Sequence, residues 1–366
     1  MKVGILTFHS VSNYGAVLQA EALQKVIFEL GHDCDVIDYR SKYFAKLYRP
    51  IHLDDFKHPR RLVRNIRMAK HKVDTNKAMI RFVQRYLNLS SKKYSEATIG
   101  ASNAEYDVFV VGSDQVWSMK INGGDAHYFL DFVAPEKKRV SYAASVSTSN
   151  LTEEEKAFFY AELSRYHSIS VREASAQKQL SQFIAKPIEV CLDPTLLIDR
   201  KHWYELSSQK DEAYVLLYVM SSNEQLTSYA KALAEKNGLK LKYISLYEPK
   251  LDDAEMVFAP NVEEWVSLFR NANYVITNSF HGMAFSIIFH KYFQYAPLNN
   301  NGKNTRILDM LSELGFDDRM VEYGDFKKIE APIDYDKVDK ILERRRLESI
   351  AYLSQALNKE ELLDED

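Results

Sequence analysis

The sequence predicts an α/β protein built from two Rossmann-like parallel-sheet domains, and three observations carry that reading. The chain has 366 residues, more than one core usually serves. Short β-rich runs alternate with amphipathic helical stretches, the pattern of βαβ units. The alternation breaks between Asp193 and Gln209 and then restarts. The expected division is an N-terminal domain over residues 1–205, a C-terminal domain over 206–330 and a terminal helix over 331–366. In such sheets ligands sit outside the carboxyl ends of the strands, here in a cleft between the two lobes.

Lys2 to Phe8 is β-rich, and Asn13-Tyr14-Gly15 supplies turn chemistry. Ala16, Ala20, Leu23, Ile27 and Leu30 then fall on one helical face, with Gly31 where a C-terminal cap belongs. Cys34 to Tyr39 reads as the second strand. From Ser41 to Gly100 there are fifteen Lys/Arg against four acids, although the whole chain carries a net charge of −3. Mostly helical by propensity, this stretch reads as an inserted basic arm over about residues 41–95. Strand-like runs return at Tyr106–Val111, Arg139–Ala144, Ser168–Val171 and Ile188–Cys191, and Thr152-Glu-Glu-Glu opens a helix. The second unit reads as strand Tyr214–Met220, helix Asn223–Asn237 and strand Lys240–Leu246. It continues as helix Val262–Asn271, strand Tyr274–Thr277 and a helix from about Phe280. Asp336 to Leu363 is a long charged helix expected to lie across a surface.

Composition excludes several classes. A net charge of −3 argues against a surface built throughout for nucleic acid. Cys34 and Cys191 form no disulfide framework and no Cys-x-x-Cys pair. There is no Gly-x-Gly-x-x-Gly, no P-loop and no metal-ligand spacing, so neither a metal nor a dinucleotide cofactor is expected. No apolar stretch approaches the roughly 20 residues of a membrane span, and the chain opens on a strand, not a signal peptide. The expectation is a soluble, cytoplasmic protein. For the basic arm, a solvated helical face is one reading; contact with the inner membrane surface or a diphosphate-linked saccharide is the other.

The most informative motif is Tyr274-Val-Ile-Thr-Asn278-Ser279-Phe280-His281-Gly282. A hydrophobic strand ends in small polar residues, and His281 with several free N–H groups opens a helix. That end suits an anion, and the histidine can pass a proton. The bland reading is that Ser279 caps the helix and His281 packs. A second motif, Val110-Val-Gly-Ser-Asp114-Gln-Val-Trp117, places an acid at a strand end and an aromatic three residues on. Asp114 could take a proton from a sugar hydroxyl and Trp117 could offer a ring face, or they are an N-cap and a core residue. Arg172, Asp193, Asn13, Tyr14 and the cationic loop holding Lys303 and Arg306 complete the candidates.

These segments resemble the polysaccharide pyruvyl transferase family. The matching pieces run in order: Thr7-Phe8-His9 with Asn13 to Ala20; Val111 to Trp117; Tyr142 to Ser145; Ser170-Val-Arg172-Glu173. Leu192-Asp193-Pro-Thr-Leu-Leu197, Asn278 to Gly282 and Lys303-Asn-Thr-Arg306 follow. The resemblance covers about Met1 to Leu314. It implies a fold similar to two-domain GT-B glycosyltransferases, with a saccharide acceptor mainly on the first lobe and phosphoenolpyruvate mainly on the second. It implies a cytoplasmic, metal-free reaction with phosphoenolpyruvate as co-substrate and a nucleotide- or lipid-linked saccharide as acceptor. His281 then looks like the donor-site histidine and Asp114 like a group that orients or deprotonates the acceptor. Arg172, Lys303 and Arg306, with Ser279 and Asn278, would hold the phosphate and carboxylate. Better-known members carry Arg where this chain has Ser279, so one donor cation is missing or comes from elsewhere. A GT-B glycosyltransferase using a nucleotide sugar and a non-catalytic saccharide-binding protein are the competing functions.

Overall fold

The computed structural model describes residues 1–148, 150–221, 223–245, 251–296, 305–321 and 324–358, with only the backbone at Thr305 and Arg306. The first sheet is parallel, in the order β3-β2-β1-β4-β5. Its strands are β1 Lys2–Leu6, β2 Asp33–Tyr39, β3 Leu89–Tyr94, β4 Val108–Val111 and β5 Lys138–Ser141. Strands β6 (Ile169–Val171) and β7 (Ile188–Val190) pair with each other and continue from β5 through bridges at Val140–Ser168 and Ala144–Val171. The second parallel sheet repeats the arrangement as β10-β9-β8-β11-β12. These strands are β8 Tyr214–Tyr218, β9 Lys240–Ser245, β10 Glu255–Phe258, β11 Tyr274–Thr277 and β12 Tyr292–Tyr295. Both orders reverse beside the first strand of the unit, between β1 and β4 and between β8 and β11, which is where such sheets open a binding crevice. The protein is thus two Rossmann-like domains.

The central strands form because they are apolar without alternation. Val108-Phe-Val-Val and Tyr214-Val-Leu-Leu-Tyr are buried along their whole length, as a sheet covered by helices on both faces requires. Helices start where side chains take up free N–H groups. Asn13, Asn223 and Asn261 cap theirs, and Thr152 with Glu155 forms a capping box.

Three strands escape the sequence pattern. The insertion expected to reach residue 95 ends with the helix Pro59–Tyr86, and Leu-Ser-Ser-Lys-Lys-Tyr then pairs with β2 as β3. An edge strand tolerates so polar a face, which hides it from a hydrophobic count. β10 is also an edge strand, and Tyr292-Phe-Gln-Tyr of β12 is too short to register alone. The terminal helix, Tyr335–Leu357, crosses back to the first domain. Arg345 there donates to the Val190 carbonyl, Ser349 accepts from Leu192 N–H, and the Tyr352 hydroxyl donates to the Ser141 carbonyl.

The domains meet through aromatic packing as well as chain crossings. Tyr14, at the start of the first helix, stacks on Trp265 of the second domain at 5.4 Å and donates its hydroxyl to the Pro260 carbonyl at 2.8 Å. His71, on the long helix of the arm, stacks on Phe258 at 4.1 Å. Replacing Tyr14 separates these terms. Tyr14→Phe keeps the stack and should cost about 1 kcal/mol, whereas Tyr14→Ala should cost about 3–5 kcal/mol. Denaturant unfolding of the two variants measures the difference, and equal losses would show that the stack contributes nothing.

Candidate active site

Four strand ends converge at one point. After β4, Gly112 and Ser113 lead to Asp114, whose φ of 65° is a left-handed conformation that non-glycine residues seldom adopt. β6 delivers Arg172, β7 delivers Asp193 and β11 delivers Asn278, Ser279 and the His281 helix, Phe280–Ile288. Asp193 is the hub. Its Oδ1 accepts from Thr195 N–H at 3.0 Å and the Thr195 hydroxyl at 2.7 Å, so it also caps the short helix Pro194–Leu197. Its Oδ2 accepts from Arg172 Nη1 at 2.6 Å and from the Ser113 hydroxyl at 3.3 Å, and His281 Nε2 stands 3.6 Å away. Arg172 Nη2 is 3.6 Å from Asp114 Oδ1, and the guanidinium lies 4.3 Å from the centre of the Phe280 ring.

The electrostatics follow from burial. Removal from water would raise the Asp193 carboxyl, but His281 and Arg172 beside it hold it well below the usual carboxylate range. Burial would lower the Arg172 guanidinium, and Asp193 and Asp114 more than offset it. Several buried nitrogens here form no hydrogen bond: Arg172 Nε and Nη2, Asn278 Nδ2 and His281 Nε2. Buried polar atoms are ordinarily paired, so a set of unpaired donors on one wall marks a place for acceptor oxygens. A cavity of about 270 Å³ opens beside it, bounded by Arg172, Asp193 and Phe280.

The candidates separate clearly. Asp114, Arg172, Asp193, Asn278, Ser279 and His281 come together. Ser279 accepts from Gly282 N–H as the helix cap, and Asn278 Oδ1 accepts from Met220 N–H, leaving its amide nitrogen free. Asn13 likewise caps its helix by accepting from Ala16 N–H. Trp117 is corrected: its ring is fully buried, stacks on Phe129 and donates to the Tyr128 carbonyl, so it has no face to offer a sugar. Tyr14 is corrected too, because both ring and hydroxyl are engaged in the domain contact. Lys303 lies outside the described residues, as does the side chain of Arg306. Among the described residues, no group of three or more His, Cys, Asp or Glu is placed to hold a metal ion.

Sequence reasoning passed over several supporting residues. A Cβ on Gly15 would fall 1.9 Å from His281 Nδ1, so the first domain's helix start is glycine because the second domain's histidine lies against it. Gln19 accepts from Ser113 N–H and donates to the Thr7 hydroxyl, joining the β1 and β4 ends. Glu173 accepts from the Ser145 hydroxyl and from the N–H groups of Val146 and Ser147. Thr7, Gln19 and Glu173 stand inside the recognised motif segments, but only the fold shows what each holds. A second hollow, about 390 Å³, lies past the ends of β1 and β2, under the arm. On its floor His9 Nδ1 and Nε2 face Thr7 O and Asp38 Oδ1, each at 3.2 Å, and Arg40 Nε is 2.5 Å from Asp38.

Two outcomes follow. Gly15→Ala should displace the His281 ring and cost about 1–3 kcal/mol in denaturant unfolding, as overpacking a close contact does. Unchanged stability in this variant would refute the contact. Asp193→Asn leaves the Arg172 charge buried beside a neutral partner and should cost about 3–5 kcal/mol. Because the folded carboxyl is depressed, its contribution is present above the unfolded value near pH ~4 and is lost as pH falls below it. Acid unfolding should therefore be shallower in Asp193→Asn than in the parent protein.

Solved structures resemble this chain at low sequence identity. A structure from Listeria monocytogenes, named as a candidate UDP-N-acetylglucosamine 2-epimerase, superposes with TM-score 0.51 at 10% identity, over 98% of this chain and 91% of that one. UDP-GlcNAc 2-epimerase from Methanocaldococcus jannaschii gives TM-score 0.48 at 12% identity, covering 94% of each chain. The Streptomyces sp. SF2575 glycosyltransferase SsfS6 gives 0.41 at 11% identity, covering 98% of this chain and 100% of that one. At 10% identity the likeness to the Listeria structure concerns the fold alone, a GT-B-like pair of domains. No curated protein matches the sequence significantly. The sequence model of the polysaccharide pyruvyl transferases matches residues 13–293, which takes in every strand end of the site. The chain belongs to the polysaccharide pyruvyl transferase family.

Proposed function

We propose that the protein transfers the pyruvyl unit of phosphoenolpyruvate to a hexose diol of a surface polysaccharide or its precursor, forming a ketal. The observation that carries this reading is the set of unpaired buried donors on Arg172, Asn278 and His281. A phosphate and a carboxylate supply the acceptor oxygens such a wall lacks. Arg172 alone does not balance them, since Asp193 and Asp114 already face it. The N-terminal end of the His281 helix adds partial positive charge, and Lys303 and Arg306 are the further cations this reading assigns to the donor.

His281 gives a proton to the methylene carbon, which becomes the methyl group and leaves an oxocarbenium-like centre at the neighbouring carbon. One sugar hydroxyl adds there and gives up its proton, with Asp114 as the acceptor. Phosphate departs and carries one proton in solution, and the second hydroxyl closes the ketal as its proton returns to His281. Atoms and charge balance: one proton ends in the methyl group, the other on phosphate. The hollow under the arm, at the first sheet's strand ends, receives the saccharide.

Phosphate release from phosphoenolpyruvate, measured with a panel of nucleotide- and lipid-linked hexoses, tests the reading. Nucleotide release from a sugar donor with no use of phosphoenolpyruvate would replace it with glycosyl transfer. Saccharide binding without turnover of either donor would leave a binding protein. His281→Ala should lower turnover by about 10²–10⁴-fold while the melting temperature stays close to that of the parent. A folded variant of full activity would remove His281 from the chemistry.

A further inference from the structure

The basic arm has an outer face that the fold leaves bare. The helix Pro59–Tyr86 buries Met68, Met79, Phe82 and Val83 against the protein. At 100° per residue, Val63, Ile66 and Val73 share the opposite side, while Ile80 borders the hollow under the arm. These three are exposed, and so are Leu53 and Phe56 in the turn before the helix, at 87% and 66%. The arm, residues 41–95, holds nine of the fifteen exposed large hydrophobic side chains among the described residues. Soluble surfaces scatter such side chains singly; a run along one face marks a contact surface.

Charge selects the partner. The helix carries nine Lys/Arg and one acid, Asp74. Arg67, Lys70, Lys77 and Arg81 flank the apolar row, are exposed, and form no ion pair among the described residues. Apolar side chains projecting between cations fit a bilayer rich in anionic phospholipid, with the chains entering the acyl boundary and the cations meeting headgroup phosphates. A second copy of the chain would set this cationic face against its like. A nucleic acid would take the cations and leave Leu53 and Phe56 in water. No described helix is long and apolar enough to cross a membrane, so the contact lies in the interface plane.

We infer that the outer face of the arm docks the protein on an anionic phospholipid surface. The docking does not depend on the pyruvyl-transfer reading, so either can fail alone. The experiment is flotation of the full chain with vesicles of phosphatidylcholine, with or without phosphatidylglycerol. The parent protein should float with the anionic vesicles only, and less as salt shortens the reach of the charges. Leu53→Asp/Phe56→Asp, Ile66→Asp/Val73→Asp and Lys70→Glu/Lys77→Glu should each lower the bound fraction by at least about tenfold. All six side chains are exposed, so circular dichroism and melting temperature should hold. Failure to float, equal flotation with neutral vesicles, or binding unaffected by the substitutions would overturn the inference. A concentration-dependent dimer in light scattering, abolished by the same substitutions, would assign the face to a second copy instead.

Discussion

The buried Arg172–Asp193 pair holds the site together. Two charges withdrawn from water are tolerable only when each finds the other and its remaining atoms are bonded. Asp193 meets this with Thr195, Ser113 and Arg172, and so ties together the ends of β4 and β7 and the residue that follows β6. His281 of the second domain stands at the same carboxylate. Asp193 is thus bound into the first domain and faces the second. It places the histidine without being part of either domain's sheet.

The same pair explains why one side of the guanidinium makes no hydrogen bond. Asp193 takes Nη1, while Nη2 stands 3.6 Å from Asp114 and neither Nε nor Nη2 makes a hydrogen bond. Phe280 covers the guanidinium at 4.3 Å. The cation is therefore held from one side and stacked from another, the preorganisation that lets a binding group act without first reorganising. Ser279 spends its oxygen on capping the helix, which anchors the turn that carries His281.

Much of this was legible in the sequence, for reasons that differ by element. The His281 motif could be read because a buried strand, a capping residue and a helix start are all local signals. Asp114, Arg172 and Asp193 could be placed at strand ends by the same logic. Their meeting could not be read, because it depends on how β4, β6 and β7 are ordered in space. Trp117 shows the limit: an aromatic three residues beyond an acid looks the same whether it faces a sugar or, as here, Phe129 and Tyr166. Gly15 shows the converse, since its reason lies 266 positions away in His281. The strand β3 was hidden by polar residues that only an edge position permits.

The path of the chain sets how the two domains are held together. It leaves the first domain once before β8 and returns once, in the helix Tyr335–Leu357, whose Arg345, Ser349 and Tyr352 are fastened beside β5 and β7. Two crossings define a line where a single linker would define a point. The lobes are consequently tied by backbone at two places as well as by the Tyr14–Trp265 stack, and these ties keep His281 against Gly15.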